Sequence, residues 1–180
     1  MRLTAFFIEI LPIASFFIGY EMAGLFVAAT SSVVIGILLM GYAYWAEGRV
    51  ALFPLYAVGM AALFTALALI MDAAIFIKIQ PTVFNGLFGL VLLGGLARGR
   101  PMMKAFFGPQ FALNEATWMT LTLRWGIFFT LMAVANEIAW RGLDDAGWVW
   151  VKTFVFAPAS GLMMMAQLPI TLRGRIRDDV

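Results

Sequence analysis

The chain has 180 residues, 63% apolar and 12% charged, with a formal net charge of +2 and a mean hydropathy of +0.95. A soluble domain carries about 25% charged residues, so these side chains are too few to build a polar shell, and lipid must take its place. Neither Cys nor His occurs, which excludes disulfides, thiolate chemistry and the commonest general base and metal ligand; no basic run marks a nucleic-acid surface.

A crossing helix needs about 20 predominantly apolar residues. The pattern predicts an all-α, polytopic transmembrane bundle in one domain spanning 1–180. The first apolar segment, residues 3–20, holds Glu9 and Pro12 and is either a sixth span or an incomplete one. Those two residues interrupt the run where a cleaved leader would be cleanest. Glu9 is the intramembrane ionisable candidate: a carboxylate at mid-bilayer costs about 2.5–3.5 kcal/mol. The second span, 22–45, is uninterrupted and is followed by the turn Glu47-Gly48-Arg49. The third covers 50–71. A loop with Lys78 runs from Asp72 to Pro81, and the fourth span covers 82–97. A longer loop carries Arg98, Arg100 and Lys104 before the fifth span, 121–140. Arg141, Asp144, Asp145 and Lys152 precede the sixth, 153–172, and the tail holds Arg173, Arg175 and Arg177.

With six spans, Arg2, Arg49, Arg98, Arg100, Lys104, Arg124 and the three tail arginines share one side, nine bases against Lys78, Arg141 and Lys152 on the other. The positive-inside rule makes the nine-base side, with the C-terminus, cytoplasmic. Trp45, Trp118, Trp125, Trp140, Trp148 and Trp150 lie near span ends, as expected of indoles in a headgroup layer.

Gly24, Ala28, Ser32 and Gly36 recur every four residues and share one face of the second span, and Ala57, Ala61 and Thr65 repeat the device in the third. Small side chains let another helix approach closely. The partner is a neighbouring span or, alternatively, a second copy or another protein's helix. At the far end of the fifth span, Asn136 and Glu137 precede Arg141 by a turn, and a hairpin brings Lys152 close. The expected outer polar cluster is Asn136, Glu137, Arg141 and Lys152, a structural clamp or a lipid or partner contact. Arg124, at the inner end of the same span, is placed to snorkel to headgroups. The segment Met102–Phe111, with Phe106, Phe107 and Phe111 beside Lys104, reads as interfacial. No activated nucleophile is found, and Asp144-Asp145 reads as a solvated loop; no catalytic residue, cofactor or metal site is expected.

These features resemble the intracellular septation protein A family of bacterial inner membrane proteins, also called the inner membrane-spanning protein YciB family. The resemblance runs through Leu11-Pro12 with Phe16-Phe17 and Tyr20, Ala28-Ala29-Thr30, Phe76 to Thr82, and Gly99-Arg100-Pro101 with Lys104 and Gly108. Its strongest stretches are Leu123 to Phe129, Ala135-Asn136-Glu137 and Trp148 to Phe154. Gln80 stands where the family usually has Lys, and Trp150 where it has Asn. The resemblance implies a bacterial inner-membrane location and a role in septation, cell division, membrane homeostasis and envelope integrity. It also implies contact with cell-division and cell-elongation membrane proteins and with membrane lipids, with homo-oligomerisation open. The alternative is a small transporter or lipid-handling protein, which a water-accessible cavity lined by Glu9, Ser31, Thr65 or Asn85 would favour.

Overall fold

A computed structural model describes residues 3–48 and 52–176, with side chains from residue 10 onward except at residue 47. The elements are α1 (Leu3–Ala23), α2 (Leu25–Glu47), α3 (Leu52–Ile70), α4 (Ile75–Leu96), α5 (Met102–Phe107), α6 (Glu115–Gly142), α7 (Asp145–Val151), a π-helical turn (Lys152–Phe156) and α8 (Ala157–Arg173). Five stretches are long and apolar enough to cross a membrane: Leu25–Ala46, Leu52–Ile70, Ile75–Leu96, Glu115–Gly142 and the continuous Asp145–Arg173. The N-terminal Ile10–Ala23 is a shorter apolar helix. Large apolar side chains such as Leu90, Ile138 and Leu162 face outward. In water that surface would aggregate; against hydrocarbon it is the solvated face.

Three helix starts lie earlier in the chain than the hydropathy pattern predicts. α4 begins at Ile75 and runs through Pro81. Proline cannot donate to the carbonyl four residues back, so this turn is supported from outside the ladder: Asn85 Nδ2 donates to the Pro81 carbonyl at 2.7 Å, and Asn136 Nδ2 to the Lys78 carbonyl at 2.9 Å. α6 starts at Glu115, where the Asn114 side chain accepts from the Thr117 N–H at 2.8 Å. The last span starts at Asp145, capped by Asp144, which accepts from the Gly147 N–H at 2.8 Å. Both are ordinary N-caps in polar stretches that hydropathy alone reads as loop. The π turn joins α7 to α8 because Pro158 has no N–H for the Phe154 carbonyl. The Ala157 N–H reaches back to the Lys152 carbonyl instead.

Helices α1 and α2 form an antiparallel hairpin around a single residue, Gly24, at φ 82° and ψ −168°. That backbone conformation is open essentially to glycine alone. The pair closes tightly: a Cβ on Gly19 would lie 2.8 Å from Ser31 Oγ and 3.0 Å from Ala28 Cα, and Ser31 Oγ donates to the Ser15 carbonyl at 3.1 Å. The most extensive packing is between α4 and α6. Partners step in opposite directions along this antiparallel seam: Thr82 meets Glu137, Gly86 meets Ala133, Gly89 meets Thr130 and Leu93 meets Gly126.

The bundle has two chemically distinct ends. At one, Phe53 of α3 packs on Phe107 of α5, Lys104 pairs with Glu115, and the tail residues Gly174 and Ile176 hydrogen-bond to Asn114 and Ala112. Arg98, Arg100, Lys104, Arg173 and Arg175 are exposed here. At the other end Lys78 pairs with Asp145, and Trp148 packs on Phe16.

Candidate functional site

The second end carries a connected polar chain built by α4, α6 and α7. Asn136 is fully buried. Its amide donates both to the Lys78 carbonyl and, at 2.8 Å, to Thr82 Oγ1, while its oxygen accepts from Trp148 Nε1 at 3.0 Å. Thr82 passes its own proton to Glu137 Oε2 at 3.2 Å, which also accepts from Trp140 Nε1 at 2.8 Å. Glu137 Oε1 accepts from Arg141 Nε at 2.5 Å, and the Arg141 guanidinium lies 4.4 Å over the Trp140 ring. Lys78, paired with Asp145, adds an ionic tie between α4 and α7. Each group along the chain polarises the next, and at its buried end, Asn136 and Trp148, loss of one member leaves its neighbour unpaired.

The sequence places Asn136, Glu137, Arg141 and Lys152 in one cluster. The structure joins the first three and leaves Lys152 outside it. The lysine ammonium lies 3.7 Å from the Phe16 ring centre and 4.9 Å from that of Trp148. No Lys152–Glu137 pair forms, because α7 holds Trp148 against Asn136 and the π turn carries Lys152 toward α1. Lys78, Thr82, Trp140, Trp148 and Asp145 complete the cluster and were not legible as its members. Lys78, Asp145 and Trp148 fall in the predicted loops before the fourth and last spans, and Thr82 and Trp140 at span ends, with no local signal that they meet.

The small-residue face divides among several partners inside the chain. Gly24 is the hairpin residue rather than a helix surface. Ala28 is buried against α1. Ser32 lines a small cavity. Gly36 faces α3, where a Cβ would lie 3.2 Å from Val58 Cγ2. A second close helix approach lies in the α4–α6 seam: a Cβ on Gly89 would lie 2.6 Å from Thr130 Oγ1 and 3.2 Å from its backbone nitrogen, and one on Gly126 would lie 2.7 Å from Leu93 Cδ2. The signal was present as Gly86-x-x-Gly89 facing Gly126-x-x-x-Thr130.

Two interfacial readings are corrected. Phe106 and Phe107 turn inward, with ring centres 4.9 Å from Phe88 and 5.8 Å from Phe53, and Met103 is buried. The aromatic demand of the interior outweighs the headgroup layer. Trp118 and Trp148 are core residues, 2% and 0% exposed, whereas Trp45 and Trp150 are outward-facing. Arg124 is exposed and bonds Gln167 of α8 from Nη1 at 3.4 Å. Ser31 and Asn85 bond to backbone carbonyls, and Thr65 lines the cavity that Ser32 lines. The Glu9 side chain and all of Arg177 lie outside the described residues.

The family model for intracellular septation protein A matches residues 4–176. An inner membrane-spanning protein YciB from Mesorhizobium japonicum is 38% identical over 160 residues, covering 88% of this chain and 68% of the relative. One from Rhizobium meliloti is 37% identical, covering 87% of this chain and 71% of the relative. One from Rickettsia canadensis is 32% identical over 172 residues, with 95% and 96% covered. No solved structure matches the chain. The match runs across the helices that build both the seam and the polar chain, and the protein belongs to the intracellular septation protein A family.

Proposed function

We propose that this protein is a non-enzymatic inner-membrane scaffold that supports septation and envelope integrity through protein and lipid contacts. The observation that carries the reading is a convergence. Three of the stretches that bear the resemblance to the family are Phe76–Thr82, Ala135–Glu137 and Trp148–Phe154. They meet in one polar chain, buried at Asn136 and Trp148, whose members pair with one another. Such a chain fixes helix positions and presents a defined end of the bundle. The exposed Arg98, Arg100, Lys104, Arg173 and Arg175 gather at the opposite end, which supports a cytoplasmic C-terminus. Basic side chains there suit anionic headgroups.

The test is depletion of the protein from its own cells, with imaging of cell length and septum placement and a dye-entry assay. Filamentation or leakiness, restored by the wild type and not by Asn136→Leu, supports the scaffold. Normal division and permeability with an altered lipid profile moves the function to lipid handling, the second reading, which the cavity beside Lys152 favours.

A further inference from the structure

Between α1, α2, α3, α4 and the π turn lies a cavity of about 40 Å³, lined by Phe16, Ser32, Ala61, Thr65, Gln80 and Lys152 among others. It is partly open rather than sealed. Lys152 brings its side-chain amine to it, and among the described residues no carboxylate pairs with that amine. Its ammonium meets only the faces of Phe16 and Trp148. Ring faces offset part of the cost of a desolvated cation but leave its hydrogen-bonding protons unused. Nearby, Gln80, Thr65 and Ser32 put an amide and two hydroxyls on the same walls.

Depth narrows the ligand. Lys152 lies seven residues into the last span from Asp145, about 10 Å along the helix, and Phe16 is equally far from the end of α1. A group bound there carries any attached tail into the hydrocarbon. Size agrees. A water needs roughly 10–15 Å³ of such space, so the cavity holds about three heavy atoms, the number in a carboxylate. Because the cavity is not sealed, an acyl tail has a way out of it.

We propose that the Lys152 cavity binds the carboxylate of a long-chain fatty acid, with the ammonium as counter-ion, Gln80, Thr65 and Ser32 as hydrogen-bond donors, and the tail in the bilayer. The proposal depends on the membrane placement and not on the septation role, and its test is made on purified protein.

The test is native mass spectrometry of the full chain in neutral detergent, titrated in parallel with palmitate, hexadecanol, phosphatidic acid and inorganic phosphate. The expected result is one palmitate per chain, held at least tenfold more tightly than hexadecanol, and a loss of that preference in Lys152→Met. Lys78→Met, which removes the lysine already paired with Asp145, leaves palmitate binding unchanged. Ala61→Phe fills the cavity while keeping the charge. It also abolishes binding, and it decides the matter should Lys152→Met fail to fold. Equal binding of palmitate and hexadecanol overturns the proposal, as does palmitate binding that survives both cavity variants. Preference for phosphatidic acid or inorganic phosphate over palmitate overturns the carboxylate assignment and makes the cavity a phosphate site. Failure here leaves the depletion phenotype untouched, and a normal phenotype leaves this binding untouched.

Discussion

The α4–α6 seam and the α6–α7 corner hold the same helix by different physics. Along the seam, Gly86, Gly89 and Gly126 bring backbones close, and beyond them Phe53, Phe84, Phe88 and Phe129 interlock, with Phe88 5.1 Å from Phe53 and 5.3 Å from Phe129. At the corner, Asn136, Thr82, Glu137 and Trp148 join three helices through hydrogen bonds. Lipid tails are as apolar as leucine, so apolar burial does not draw helices together in a bilayer; close packing and polar contacts do. The difference teaches that the seam is vulnerable to added volume and the corner to a lost partner.

The largest effect is expected from added volume at the seam. Gly89→Leu forces a side chain into the Thr130 backbone, and Gly126→Leu forces one into Leu92 and Leu93. Each should cost about 3 kcal/mol, read as an early unfolding transition in detergent, while Gly89→Ala costs less. If Gly89→Leu unfolds with the wild type, the seam is not a backbone contact. Next comes Asn136→Leu, equal in side-chain heavy atoms and branching, which strands the Trp148 N–H and removes a donor from the Lys78 carbonyl. A loss of about 2 kcal/mol is expected, with Trp148 fluorescence shifted by its new surroundings; an unchanged spectrum would remove Trp148 from the cluster. Gly36→Leu should cost about 1 kcal/mol, because only the Val58 side chain stands in its way and can turn aside. A larger loss would make α2–α3 a second seam. Smallest is the Glu137–Arg141 pair, where the arginine side chain is 66% exposed. A double-mutant cycle with alanine should give a small coupling that fades in high salt. A coupling indifferent to salt would place the pair in a drier setting.

The corner and the seam were unequally legible. Asn136, Glu137 and Arg141 could be read because polar residues stand out against an apolar span and i,i+4 spacing puts Glu137 beside Arg141. Thr82, Trp148 and Lys78 could not, since nothing local says that α4 continues through Pro81 or that α7 turns an indole inward. The seam was hidden differently. The four-residue ladder of α2 is visible within one segment, whereas the buried Gly89 and Gly126 gain meaning only when faced with each other.

What the sequence determined by itself follows from composition and length. Apolar runs of this size, with so few charges, admit only helices in lipid, where every backbone group must be satisfied within its own segment. The uneven spread of basic residues along the chain likewise separates one end of the bundle from the other. Tertiary structure alone decided which helices touch, because hydropathy makes every apolar face equivalent against lipid. It alone turned Phe106, Phe107, Trp118 and Trp148 from surface to core. It alone paired Lys78 with Asp145 and left Lys152 over two aromatic rings, since a long cationic side chain takes its partner from whatever the packing of its neighbours puts within reach.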